Sequence, residues 1–278
     1  MTLQDEVARH YTTAGLLDRI DAALKQAGAD PAHPTFDDLS PVDEFHTGGI
    51  EATTHLIDQL EISSDSIVVD LGCGLGGTAR HIVHRYGATV HGVDLTRAFV
   101  EVGRVLNDRL GLGERITLEV GDATDPPFAD ASADLVVMMH VGMNVADKPA
   151  IFAQAARLLR PGGRFALFDV MRDEGDEPLV FPLPWSGEPA ISHVEPPSVY
   201  RRAAQTAGFE EMHEARRRAF ALDFFARLRE RIAAAGPPPL GIHLLMGDTA
   251  SEKIANYVAN VEAHRIAPIE MIFRKGAA

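Results

Sequence analysis

A chain of 278 residues, 46% of them hydrophobic, can bury the core of one ordinary domain plus an insertion, or of two small domains. Its 26 basic and 40 acidic residues give a formal charge of −14, which opposes a nucleic-acid backbone, so DNA and RNA are not expected partners. The single cysteine, Cys73, excludes an internal disulfide and a cysteine-rich zinc site; apolar runs well short of the roughly 20 residues of a membrane span, and an opening without a basic start or apolar stretch, predict a cytoplasmic protein with no membrane partner.

In chain order, residues 5–27 read as helix, with Leu16, Leu17, Ile20, Ala23 and Leu24 on one face and Gly28 as the stop. Residues 29–48, with three prolines and several aspartates, read as loop, and a second helix is expected from about Ile50 to Leu60. The pattern then changes. Ser66-Ile67-Val68-Val69-Asp70 is a short apolar run of the kind a buried parallel strand needs. A glycine loop and a helix ending near Gly87 follow it, then a strand at 88–94 and a helix that Thr96 can cap. Further strands are predicted at 116–120 and 133–139. A helix at 148–159 is broken by Arg160-Pro161-Gly162-Gly163, and a fifth strand covers 164–170. Residues 171–198, with six prolines, look like an excursion over the sheet. Helical patterns return at 198–207, 220–234 and 251–263, and the last strand at 268–274 can pair back onto the sheet.

Strands alternating with helices predict an α/β protein with a doubly wound, Rossmann-like parallel sheet. Its ligand belongs at the carboxyl ends of the strands, where the strand order reverses. The expected division is an N-terminal helical lid at 1–60, the core at 61–175, a cap that carries the substrate region at 176–265, and a returning edge strand at 266–278. Oligomeric state is not legible.

The glycine loop admits two ligands. Gly72, Gly74 and Gly77 satisfy the dinucleotide spacing, and Asp94 suits the hydroxyls of a ribose in either case. Three features decide between them. Asp70, two residues before Gly72, would repel a pyrophosphate but can receive an ammonium. In Gly121-Asp122-Ala123, the carboxylate after strand three can accept from an adenine amine. Leu159-Arg160-Pro161-Gly162-Gly163 supplies a turn before strand five.

As a set, Asp70-Leu71-Gly72-Cys73-Gly74-Leu75-Gly76-Gly77, Gly92-Val93-Asp94-Leu95-Thr96, Gly121-Asp122-Ala123 and Leu159-Arg160-Pro161-Gly162-Gly163 resemble the successive motifs of class I S-adenosylmethionine-dependent methyltransferases. More narrowly, the stretches 43–53, 140–148 and 181–185 resemble small-molecule enzymes of the sarcosine/dimethylglycine N-methyltransferase group. The resemblance implies a seven-stranded class I fold. It implies that Gly72 and Gly74 meet the methionine part of the cofactor, Asp94 the ribose, and Asp122 and Ala123 the adenine. Leu95 would pack on the adenine ring and His140 would sit beside the sulfonium, with Tyr11, His46 and Gly48 as secondary cofactor contacts. Cys73 receives no chemical role.

On this reading a methyl group passes to nitrogen or oxygen of a small metabolite by in-line displacement, without a metal. His140 is the candidate general base for a hydroxyl acceptor. Trp185, Phe181, His193, Arg201 and Met246 are the candidate substrate residues. A methylated glycine would require an arginine for its carboxylate, and 6% aromatic residues do not favour an aromatic cage for a quaternary product. The alternatives are carbon methylation, a nicotinamide-dependent oxidoreductase, and a cofactor-binding module without turnover. The oxidoreductase would need a loop free of Asp70 and a catalytic Tyr/Lys pair; binding of S-adenosylhomocysteine rather than NAD separates the classes.

Overall fold

The computed structural model describes residues 15–175 and 177–277. Helix α1 (Leu16–Gln26) turns Leu16, Ile20, Ala23 and Leu24 inward, as their spacing predicts. The first part of the helix expected over 5–27 lies outside the described residues. The stretch 29–48, expected as loop, contains α2 (Phe36–Asp43). Its start is a reciprocal cap: the Asp38 amide donates to Thr35 Oγ1 at 3.2 Å, and the Thr35 amide donates to the Asp38 carboxylate at 2.8 Å. Prolines before the cap and within the helix hide it from a composition-based reading. Helix α3 (Gly49–Ile57) follows.

Strand β1 (Ile67–Leu71) lies parallel between β2 (Thr89–Asp94) and β4 (Ala133–Met139), with Val68 opposite Val90 on one side and Val69 opposite Val136 on the other. Strand β3 (Ile116–Val120) flanks β2, and β5 (Leu159–Arg172) flanks β4. The turn expected to break the chain at Arg160–Gly163 is instead a bulge within β5: Ala133 pairs with Leu159, but Leu135 pairs with Arg164. Strand β7 (Ile266–Lys275) runs antiparallel to β5, and β6 (Phe209–Arg216) pairs with β7. The order β3-β2-β1-β4-β5-β7-β6 makes a seven-stranded sheet whose order reverses between β1 and β4.

Alternate side chains of the central strands enter two cores, one on each face. Val69, Val136 and Met138 pack with Phe152 and Phe165, whereas Val68, Val137 and Met139 pack with Ile82 and Leu56. Helices α4 (Gly77–Tyr86), α5 (Arg97–Arg109) and α6 (Lys148–Leu158) cover these faces. The Thr96 hydroxyl makes no cap for α5; the Asp94 carboxylate accepts from the Thr96 amide at 2.8 Å instead.

Two boundaries differ from expectation. The returning strand is not the edge, because β6 covers it. That outer strand is hidden by its charged residues, Glu210 and Glu211 exposed at the sheet edge and Glu214 half-buried, which remove the apolar signal. The region 176–265 is accordingly not all cap. Helix α7 (Pro197–Thr206) sends Tyr200 and Ala203 into the core beside Phe209 and Phe273. The cap consists of 177–196 with α8 (Arg218–Ala235), α9 (His243–Met246) and α10 (Ala250–Glu262). Leu183, Trp185, Phe225 and Tyr257 form its own apolar cluster with Met143. Among the described residues no helix is long and apolar enough to cross a membrane.

Candidate functional site

The glycine loop after β1 is fixed across the end of β2: the amides of Gly72 and Cys73 donate to the Val93 carbonyl at 2.8 and 3.0 Å. Gly72 has φ 79°, and a Cβ there would lie 2.2 Å from Val141 Cγ2. At Gly77 a Cβ would fall 2.3 Å from the Asp43 carbonyl oxygen, so the absence of a side chain lets residues 43–47 lie against the start of α4. Arg80 secures that contact. Its Nε donates to Asp43 Oδ2 at 2.8 Å and its Nη1 to Asn107 Oδ1 at 2.7 Å. Burial holds the Asp43 carboxyl above its ordinary value even with the Arg80 charge opposing it.

Asp70, Asp94 and Asp122 line the cleft beside the loop. Both Asp70 oxygens are buried without a hydrogen-bond partner among the described residues. Burial, then the negative charges of Glu44 and Asp94, push this carboxyl up to about 8. Asp94 ties two segments together: Oδ2 accepts from the Gly74 amide at 2.9 Å and Oδ1 from the Thr96 amide. Burial raises its pKa, and the two amides moderate that rise. Asp122 Oδ1 accepts from the Thr124 amide at 2.8 Å, so it shapes its turn as well as lining the cleft. Leu95 and Ala123 line the same cleft.

His140 leaves the end of β4 with φ 54°, a left-handed conformation uncommon for a residue with a side chain. Its amide donates to the Phe168 carbonyl at 2.7 Å, and its ring lies 4.9 Å from that of Phe168. Nε2 is buried without a partner among the described residues. Burial, with the neighbouring His46 ring, holds the imidazole well below its ordinary pKa. Nε2 of His46, whose ring lies 5.7 Å from the His140 ring, meets Glu44 Oε2 at 2.8 Å, and the Thr53 hydroxyl donates to the same oxygen at 2.8 Å. Burial would raise the Glu44 carboxyl, but the His46 and Thr53 contacts outweigh it and the net shift is downward. Sequence reasoning placed Glu44 and Thr53 within the resembling stretch 43–53 but gave neither a role in the site, because no spacing pairs a carboxylate and a hydroxyl on one imidazole.

The far wall comes from the cap. Trp185, Phe225, Ile254 and Tyr257 line the cleft with Met143, Leu245 and Met246. The Thr47 hydroxyl donates to Tyr257 Oη at 2.7 Å, joining the N-terminal segment to α10 across the cleft. Beneath Met143, the turn Gly142–Asn144 rests on Asp169, whose Oδ2 accepts from the Tyr200 hydroxyl at 2.6 Å. Burial pushes Asp169 up to about 6, opposed by Tyr200 and Lys148.

Four expected site residues lie elsewhere. Gly48 packs under Phe220, where a Cβ would fall 2.4 Å from that ring. Phe181 borders a separate small cleft with Arg172 and Ser192. His193 contributes its backbone: its amide donates to Met143 O and its carbonyl accepts from Lys148 Nζ. Arg201 faces β6, pairing with Glu214 and with Glu211 at 3.2 Å. Tyr11 lies outside the described residues. Asp70, Gly72, Gly74, Asp94, Leu95, Asp122, Ala123, His140, His46, Trp185 and Met246 are brought together around one cleft.

This donor set fits S-adenosylmethionine. An orphaned buried carboxylate suits its ammonium, carboxylates at the ends of β2 and β3 suit hydroxyls and an amine, and nothing in the loop calls for a phosphate. The dinucleotide alternative is therefore not favoured. A family profile described as a methyltransferase domain matches residues 69–167. The chain is 31% identical to the sarcosine/dimethylglycine N-methyltransferase of Halorhodospira halochloris over 212 residues, 74% of this chain and 73% of that one. It is 32% identical to Methyltransferase GfsG of Streptomyces halstedii over 155 residues, 55% of this chain; the match spans only 56% of that relative's length. The geranyl diphosphate C-methyltransferase of Streptomyces coelicolor, solved with Mg2+, geranyl diphosphate and S-adenosyl-L-homocysteine, superposes with a TM-score of 0.70 at 16% identity, covering 99% of this chain and 98% of that one. That likeness is one of fold. The chain belongs to the class I S-adenosylmethionine-dependent methyltransferases of the small-molecule type.

Proposed function

We propose that this protein methylates nitrogen or oxygen of a small molecule, with S-adenosyl-L-methionine as donor. The observation that carries the proposal is the buried, unpartnered carboxylate of Asp70 under a glycine loop, a site built for a cationic ligand. The cofactor supplies an already activated methyl group on a sulfonium. Asp70 would hold the ammonium, Asp94 the ribose hydroxyls and Asp122 with Ala123 the adenine, while Leu95 packs on the ring. Gly72 and Gly74 allow the backbone to approach the methionine part. His46 and Thr47 close the N-terminal side of the cleft over it. The protein's work is then alignment and exclusion of water, to which the Thr47–Tyr257 link across the cleft contributes. His140, neutral at physiological pH because burial lowers its pKa, would accept the acceptor's proton.

Calorimetric titration tests the reading. S-adenosylhomocysteine is expected to bind in the micromolar range and NAD not at all; the reverse would overturn it. The charge of −14 and the lone buried Cys73 support a cytoplasmic enzyme without a nucleic-acid partner. A gel-shift titration with duplex DNA should show no complex, and cell fractionation should recover the protein with the cytosol.

A further inference from the structure

We infer that the methyl acceptor is an uncharged alcohol or phenol with a broad apolar body, rather than an amino acid or a phosphate ester. The inference rests on the reading above that the glycine-loop end of the cleft holds the donor. The acidic groups of the cleft, Asp43, Asp70, Asp94 and Asp122, all lie at that end, Asp43 packed against Gly77. Beyond His140 the wall is mostly apolar, with Met143, Trp185, Phe225, Leu245, Ile254 and Tyr257, and Asn144 is its uncharged polar side chain. The polar handles of its rings are turned to protein partners: Trp185 Nε1 donates to Ser192 Oγ at 3.0 Å, and Tyr257 Oη accepts from Thr47. The rings also touch one another. Trp185 and Tyr257 meet edge to face at 6.1 Å, and Phe225 and Tyr257 are tilted against each other at 5.5 Å. Rings packed together in this way form a wall rather than a cage around a hollow, so a quaternary ammonium has no seat between them.

An anionic acceptor fares no better. A carboxylate or phosphate taken out of water needs an arginine or lysine. Among the described residues no such side chain lines the cleft. The cations nearby are engaged. Arg80 holds Asp43 and Asn107, Lys148 donates to the Val145 and His193 carbonyls, and Lys253 donates to the Met246 carbonyl. The unpartnered Nε2 of His140 matches a hydroxyl proton. In the transfer, the acceptor's O–C bond forms as the S–C bond of the sulfonium breaks, and the hydroxyl proton passes to His140 Nε2 and on to solvent. A methyl ether and S-adenosylhomocysteine result.

The test uses the whole protein saturated with S-adenosylhomocysteine and three probes with one carbon skeleton: naphthol, naphthoate and naphthyl phosphate. Calorimetry should show naphthol binding at least tenfold more tightly than either anion. Ile254→Lys, which places a cation in the wall, should narrow or invert that preference. Anions bound as tightly as naphthol, or no binding of naphthol, would overturn the inference. Preferential turnover of sarcosine or phosphoethanolamine with S-adenosylmethionine would overturn it as well. Failure of S-adenosylhomocysteine itself to bind would instead overturn the reading of the cleft on which the inference stands.

Discussion

Arg80 grips Asp43 through two parallel hydrogen bonds, Nε to Oδ2 at 2.8 Å and Nη2 to Oδ1 at 2.5 Å, with side-chain exposures of 0% and 2%. The pair joins the end of α2 to the first turns of α4, and so holds residues 43–47 against the glycine loop. Removing one member leaves a buried charge alone. Arg80→Met is expected to lower unfolding free energy by about 3–5 kcal/mol in urea titrations, and to weaken S-adenosylhomocysteine binding. The double variant Arg80→Met, Asp43→Leu should recover most of the stability, because both charges are gone. A single variant as stable as the parent would show that the pair contributes no stability.

The raised pKa of Asp70 makes donor binding pH-dependent in a definite direction. With its carboxyl at about 8, Asp70 mostly carries a proton at neutral pH, and an incoming ammonium must expel it. Affinity for S-adenosylhomocysteine should therefore rise with pH, by up to about tenfold per unit, and level off above the carboxyl's own pKa. Binding enthalpies at neutral pH should differ between phosphate and Tris buffers by the heat of taking up the released proton. Asp70→Asn should abolish both dependences and weaken binding. In the free protein the same group favours folding most fully below the ordinary carboxyl range, and that contribution is lost as pH rises toward the folded value. A pH-independent affinity in the parent would mean that Asp70 does not meet the ammonium.

What could be read from the chain follows the range of the interactions. Asp94 was legible because it acts within one βα unit: its carboxylate reaches the Gly74 amide 20 residues away, and the fingerprint spacing encodes that reach. Asp70 was legible because it immediately precedes the loop it serves. Tyr257 was not, since its partner Thr47 is 210 residues distant and no periodic pattern links a loop threonine to a cap helix. Arg201 was misassigned for a related reason. Its partners Glu211 and Glu214 sit on β6, the edge strand whose charged residues concealed it, so a structurally engaged arginine looked available to the substrate pocket. Trp185 and Met246 were assigned to the site from their place in the cap, while Phe225 and Ile254, equally part of the wall, lay in helical runs with no distinguishing feature. Helix α2 was lost to its prolines, although the Thr35–Asp38 capping box was present in the sequence.

His140 should separate chemistry from binding. His140→Asn is expected to reduce turnover by about 10²–10⁴-fold while S-adenosylhomocysteine affinity stays within a factor of a few. Because burial holds the imidazole well below its ordinary pKa, it remains an available base in mildly acidic solution. The parent's kcat should therefore stay flat as pH falls through the normal histidine range and decline only below it. A decline centred on the ordinary histidine value would assign the limiting ionisation to another group, and undiminished turnover in His140→Asn would remove the residue from the chemistry.

Gly72 and Val141 allow the loop geometry itself to be tested. Gly72→Ala meets two obstacles: a left-handed φ of 79° and a collision of its Cβ with both Val141 methyls, at 2.2 and 2.8 Å. The backbone cost alone is about 1 kcal/mol, and the overlap adds a steric cost that displaces either the loop or the β4 terminus beside His140. Gly72→Ala should thus lower the melting temperature and reduce S-adenosylhomocysteine affinity by more than tenfold. Adding Val141→Ala removes both colliding methyls and leaves a tight 3.1 Å approach to Cβ, which a shift of a few tenths of an ångström relieves. The double variant should regain most of the steric part of the loss but keep the backbone part, ending at least about 1 kcal/mol below Val141→Ala alone in urea titrations. Full recovery would show that the left-handed conformation is not required; no recovery would show that contact with Val141 does not set the loop's position.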